Sequence, residues 1–177
     1  MSAQEDRLLT MLSVALEMET QGKDYYEKAA AKAKNELGQK IFLMLRDDEL
    51  VHLERIQKIY DALCEKHVWC DEFNSLPLPN PDLNRSFNEL ALKFGPRFIA
   101  KSDDLKALEV GIEAEAKSIA FYQDQLKKAA EISEKEFLAR MVAEEKGHHA
   151  ALSDMKLYLS DPSSWFRERE KGGLDGA

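Results

Sequence analysis

The stretch 47-DDELVHLERI-56 places Glu49 and His52 one helical turn apart, on the same stripe as Leu45, Leu53 and Ile56. Residues three or four apart share a helix face, so a carboxylate and an imidazole occupy positions that the periodicity otherwise gives to a core. Taken alone, such a pair reads as a half-buried polar contact at the edge of the stripe. It does not stand alone. At an offset of 96 residues the same chemistry returns as Glu145 and His148, in "EEKGHHAAL". The same offset carries Glu19 to Glu115 and Tyr26 to Tyr122, aligning "ALEMETQGKDYY" with "VGIEAEAKSIAFY". Each half therefore holds a Glu, a Tyr seven residues on, and a Glu-x-x-His thirty residues after the first Glu. One such motif arises easily by chance, but a whole constellation repeated at one constant offset does not.

The elements that carry the repeat are helices. Apolar residues recur at helical spacing from Asp6 to about Lys34, and Asn35 is placed to cap a second helix that runs to about Lys66. Residues 67–102 differ in character: "NSLPLPNPDLN" reads as an extended connection, and "SFNELALKF" as a short helix before Gly95-Pro96. Ser102, followed by Asp103 and Asp104, is expected to cap a third long helix. Ser133 with Glu136 has the spacing of a capping box for a fourth, ending near Leu159 before Asp161-Pro162. Four helices of about 30 residues, paired by short turns and joined by one long crossover, predict an all-α antiparallel four-helix bundle over 1–160. Residues 161–177 are expected to form a tail, with "SSWFRERE" as a short helical piece.

Spacing turns the repeat into geometry. Glu19 lies about 15 residues before the turn near Asn35, and Glu49 about 14 after it. At roughly 1.5 Å per residue both stand some 21–22 Å from the hairpin end, at one height on antiparallel helices. Glu115 and Glu145 repeat this relation about the turn near Glu131. Pairing the hairpins brings four carboxylates and two imidazoles into one layer. Four carboxylates cannot be buried together at neutral pH without counter-charge, and two divalent cations supply it. Oxygen-rich ligation with one imidazole per ion suits iron, or manganese, better than a closed zinc site built on thiolates.

Composition agrees and excludes alternatives. The 177 residues carry a net charge of −8, so no basic surface is available for nucleic acid. No apolar run is long enough to span a bilayer. The start, "MSAQEDRLLT", reads as neither signal nor transit peptide, and two cysteines form no disulfide framework, which places the expected setting in the cytoplasm.

With these residues in place the chain resembles the rubrerythrin-like branch of the ferritin-like superfamily of di-iron carboxylate proteins, over about residues 5–160. The resemblance implies that Glu49 and Glu145 bridge two iron ions, that Glu19 and Glu115 are terminal ligands, and that His52 and His148 bind one ion each. It further implies that Tyr26 and Tyr122 pack beside the oxidant pocket and hydrogen-bond carboxylates. Asp48 and Glu144, each just before a bridging Glu, are candidates to orient the distal N–H groups of the histidines. The implied activity is reduction of hydrogen peroxide, or reaction with dioxygen, at a site that manganese or zinc could also occupy. Relatives of this kind usually carry a rubredoxin-like domain with paired Cys-x-x-Cys motifs. None is found in this sequence, so electrons are expected from a separate donor protein, and the assembly is expected to be a homodimer or higher homo-oligomer. Rubrerythrin proper also has a carboxylate one turn after the third-helix ligand, where this chain has Ser118. That predicts a more symmetric site.

Competing readings are a ferroxidase that stores iron, an oxygen-activating hydroxylase, and a structural bundle whose site holds zinc or nothing. Glu17 and Glu113 also repeat but rotate off the stripe and are expected on a solvated face; His149 faces away from His148. Cys64, His67 and Cys70 in "CEKHVWC" read as ordinary helix-end residues, and Trp165 and Phe166 as packing against the crossover or a neighbouring subunit.

Overall fold

Helix formation follows the apolar periodicity closely. The computed structural model describes residues 3–71, 75–95 and 102–172, without the side chains of 102 and 170–172. It contains α1 (Ala3–Lys32), α2 (Glu36–Lys66), α3 (Leu83–Phe94), α4 (Ser102–Lys128), α5 (Ile132–Ser160) and α6 (Pro162–Gly172). The protein is an all-α, ferritin-like bundle: α1 pairs with α2 and α4 with α5, and the crossover helix α3 lies across α5 and α2.

The ends of the helices show why the chain turns where it does. Asn35 caps α2, its side chain accepting from the Gly38 amide at 2.6 Å. The same residue donates to Asp104 at 3.1 Å, fastening the first hairpin to the start of α4. His67 closes α2 in the left-handed region (φ 56°), its amide donating to the Leu63 carbonyl. Asp82 caps α3, and Gly95 (φ 73°) ends it in a conformation that costs glycine little. Asp161 accepts from the Ser164 amide, and Pro162 takes the first position of α6, where its missing N–H is not needed.

Two details differ from the sequence reading. α5 begins at Ile132, one residue before Ser133, and no side chain caps it. The expected capping box does not form, because Ser133 already lies inside the helix and Glu131 holds the cap position; Glu134 is buried, accepts from the Ala130 amide, and pairs with Arg7 of α1 at 2.8 Å. α1 also starts at Ala3, ahead of Asp6. Ser102 opens α4, but its side chain, Pro96 and residues 173–177 of the tail lie outside the described residues.

The core is divided. One apolar cluster fills the end of the bundle near the α1–α2 turn, around Leu37, Ile41, Phe42, Leu45, Leu152 and Met155. A second fills the opposite end, around Leu12, Ile56, Ile59, Phe137, Leu138 and Met141. Trp165 of α6 is fully buried against Phe87 of α3 and Tyr158 of α5, so it packs on the crossover, while Phe166 lies against Tyr158. Between the two apolar clusters lies a layer of polar side chains.

Candidate metal centre

That layer gathers all six residues singled out from the repeat. Glu19 comes from α1, Glu49 and His52 from α2, Glu115 from α4, and Glu145 and His148 from α5; none is more than 3% exposed. Their donor atoms form two sets, each lying within 4.8 Å: Glu19, Glu49, His52 and Glu145 in one, and Glu49, Glu115, Glu145 and His148 in the other. Glu49 and Glu145 belong to both. Each set thus has one Glu and one His of its own and two shared carboxylates.

The atoms converge on common points more than on one another. His52 Nδ1 lies 3.1 Å from Glu145 Oε1 and 3.3 Å from Glu49 Oε2, and His148 Nδ1 lies 3.6 Å from Glu145 Oε2. His52 Nδ1 also meets Glu19 Oε2 at 3.2 Å, yet Glu49 Oε2, Glu145 Oε1 and His148 Nδ1 are buried without a hydrogen-bond partner. Neighbouring ligands of an ion bound at about 2.1 Å stand roughly 3 to 3.5 Å apart; the contacts of His52 Nδ1 fall in that range, and those of His148 Nδ1 are wider, at 3.6 to 3.9 Å. Four carboxylates also match the charge of two divalent cations. The residues present fit a dinuclear metal site.

Each imidazole is oriented from outside the layer, and the orientation crosses between halves. His52 Nε2 lies 3.1 Å from Glu144 Oε2 of α5, while His148 Nε2 lies 3.3 Å from Asp48 Oδ2 of α2. A carboxylate there accepts the Nε2–H, leaving the Nδ1 lone pair directed into the cluster. The tyrosines cross in the same way: Tyr26 donates to Glu115, and Tyr122 donates to Glu19. The two imidazole rings lie face to face with centroids 5.5 Å apart.

Electrostatics shows what the cluster costs by itself. Burial, and then the neighbouring carboxylates Glu19 and Glu145, push Glu49 and Glu115 respectively well above the ordinary carboxylate range. Burial alone would lower both histidines, but the surrounding carboxylates outweigh it and raise them. Glu145 goes the other way: burial opposes its charge, but His52 and the hydrogen bonds around it hold it well below its usual range. Burial, reinforced by the adjacent carboxylates, raises both tyrosines, which keep their protons. Left to protons alone, the cluster stays partly neutralised.

The outer supports are charged unequally. Glu144 receives Arg55 Nη1 at 2.5 Å and Arg140 Nε at 3.0 Å. Burial would raise Glu144, but the bonds from His52 and Arg55 prevail and lower it to about 2. Both arginines also donate to the Leu76 carbonyl of the crossover. Asp48 is held by Asn80, whose amide and side chain both donate to its Oδ1, at 3.0 and 3.1 Å. The crossover therefore covers the histidine side of the layer. On the other side, between α1 and α4, a cleft of about 490 Å³ reaches Glu19, Glu49 and Glu115, with Met18, Val110 and Ala114 among its walls. Gly22 lies at this opening, where an added Cβ would stand 3.4 Å from the Glu49 carboxylate.

Residues set aside from the repeat fall elsewhere. Glu17 and Glu113 are exposed, and Cys64, His67 and Cys70 join neither donor set among the described residues. Both cysteines are free, and His67 caps α2 beside Glu5. No described helix is long and apolar enough to cross a membrane.

A bundle whose two halves each deliver a Glu and a Glu-x-x-His to one buried layer defines the ferritin-like class with a dinuclear carboxylate centre. The rubrerythrin family model matches residues 10–73 and 80–156, and the chain belongs to the rubrerythrin family. Comparison with curated proteins and with solved structures gives no match.

Sequence reasoning missed Arg55, Arg140 and Asn80. A signal for the arginines was present: at the offset of 96 residues Arg55 corresponds to Ala151 and Arg140 to Met44, so the repeat breaks where these cations stand. Asn80 lies in the crossover, which the repeat does not cover.

Proposed function

We propose that Glu19, Glu49, His52 and Glu145 hold one iron ion, that Glu49, Glu115, Glu145 and His148 hold a second, and that the protein is a di-iron oxidoreductase that reduces hydrogen peroxide. The sharing of Glu49 and Glu145 by two donor sets carries this reading. Two ferrous ions would supply one electron each, the two that convert one hydrogen peroxide and two protons into two waters. A carboxylate-rich donor set with one imidazole per ion favours iron or manganese over zinc, which has no redox chemistry.

The chain's own residues bind, orient and protect. The shared carboxylates fix the separation of the two positions. Asp48 and Glu144 hold the histidine tautomers, and Tyr26 and Tyr122 hold protons at hydroxyls directed onto Glu115 and Glu19. The crossover packs over the histidine side, where a cleft of about 210 Å³ reaches Glu144 and His148, and the cleft of about 490 Å³ between α1 and α4 gives a small oxidant its approach to the carboxylate side. Electrons for repeated turnover are assigned to a separate donor protein.

The test is anaerobic. Metal-free protein is loaded with ferrous iron, hydrogen peroxide is added, and ferric absorbance is followed by stopped flow. Oxidation much faster than that of free ferrous iron, and faster with peroxide than with dioxygen, is expected. Oxidation at the rate of free iron overturns the proposal. A faster response to dioxygen replaces peroxide as the working oxidant.

A further inference from the structure

The two metal positions share two carboxylates and are related by the internal repeat, but their outer surroundings are not equivalent. We propose that the position built on Glu115 and His148 takes up a cation before the position built on Glu19 and His52. This rests on the ligand assignment proposed above.

The argument starts from the carboxylate behind each histidine. Glu144, behind His52, lies against two guanidinium groups, Arg55 at 2.5 Å and Arg140 at 3.0 Å. Arg55 is fully buried, so its charge is poorly screened. Asp48, behind His148, is also fully buried, but its other partner is the neutral Asn80. Among the described residues its one ion pair is with His148 itself. Arg55 acts more strongly on Glu144 than on Asp48.

Counting formal charges, one carboxylate and two guanidiniums stand behind His52, a net of +1, against a net of −1 from one carboxylate behind His148. A cation is therefore opposed at the first position and favoured at the second. The two imidazole–carboxylate contacts are of similar length, 3.1 Å for His52–Glu144 and 3.3 Å for His148–Asp48, so the difference between the positions lies in the charge behind them. The repeat records the same asymmetry, with Arg55 and Arg140 replaced by Ala151 and Met44 in the equivalent places around Asp48.

Arg55 and Arg140 are positioning residues in this scheme, acting on the metal through Glu144 and His52. Metal-free protein is titrated with cobalt(II) and followed by calorimetry and visible absorption. Two steps are expected, one ion each, separated by about 10- to 100-fold in affinity. Glu19→Ala should keep the tight step and lose the weak one, and Glu115→Ala should keep the weak step alone. Arg55→Met should tighten the weak step and draw the two together. Arg140→Met, at a partly exposed site, should do the same with less risk to folding, which circular dichroism checks.

A merely structural role for these arginines would loosen the weak step instead, and that result overturns the proposal. Loss of the tight step in Glu19→Ala, or two indistinguishable steps in the wild type, overturns it while leaving the ligand assignment intact. Failure of wild-type protein to bind two ions removes both.

Discussion

Replacing Glu49 with glutamine should change stability in opposite directions with and without metal. Glu49 is buried among carboxylates, and burial followed by the charge of Glu19 raises it well above its ordinary value of 4.5. A group with a raised folded-state pKa binds more protons folded than unfolded above that value, so the stability of metal-free protein falls as pH rises. At pH 7 the cost from this one group is capped at about 3.5 kcal/mol, because pH 7 lies roughly 2.5 units above the unfolded value and each unit is worth about 1.4 kcal/mol. Gln keeps the volume and cannot carry the charge. In EDTA at pH 7, Glu49→Gln should gain about 2 kcal/mol, or roughly 4–8 °C in Tm. At pH 5 the gain should nearly vanish, because pH 5 lies only about half a unit above the unfolded value and the cost is then capped at about 0.7 kcal/mol. With metal present the sign reverses. A site filled at 1,000 times its Kd stabilises by about 4 kcal/mol, and the variant loses a carboxylate common to both sites. Thermal denaturation of both proteins, with EDTA and with excess manganese(II), at pH 5 and pH 7, reads all four quantities. A variant less stable than wild type in EDTA at pH 7 would refute the claim that like charges strain this layer. An equal metal-induced shift in both proteins would refute the bridging role.

Other outcomes follow from the same geometry. Glu17→Ala, on an exposed face, should retain metal content measured by elemental analysis, whereas Glu49→Ala should lose most of it; equal content would refute the ligand assignment. Tyr26→Phe removes the hydroxyl on Glu115 and should keep both ions bound while slowing peroxide-driven oxidation roughly 10-fold in stopped flow. Gly22→Leu should fill the cleft beside Glu49 and slow oxidation without releasing metal, and an unchanged rate would place the oxidant's entry elsewhere. Trp165→Ala should cost about 3–5 kcal/mol in chemical denaturation, because the ring is fully buried and its N–H donates to Asp154 at 3.0 Å.

Much of this protein could be read from the chain. The 96-residue repeat, the helical stripes and the Asn35 cap defined the bundle. Equal heights on antiparallel helices placed the six polar residues in one layer, because helix rise is nearly constant and sequence distance from a turn converts directly into length. Local signals failed where a distant partner intervened. The capping box of Ser133 and Glu136 was lost because α5 starts one residue earlier, with Glu131 at the cap position, where Glu134 of the first turn is held by Arg7 of another helix.

The sequence by itself determined which six carboxylates and imidazoles share one buried layer, at what height, and that their charge needs a counter-charge. Only the tertiary structure decided which half supports which. Tyr26 reaches Glu115, Tyr122 reaches Glu19, Asp48 serves His148 and Glu144 serves His52, all across the interface between hairpins. The tertiary structure also brought Asn80 and the Leu76 carbonyl from the crossover onto the outer carboxylates. The physical reason is that periodicity fixes the face and height of a residue along its own helix. The partner across a bundle depends on how whole helices pack, and no local spacing encodes that.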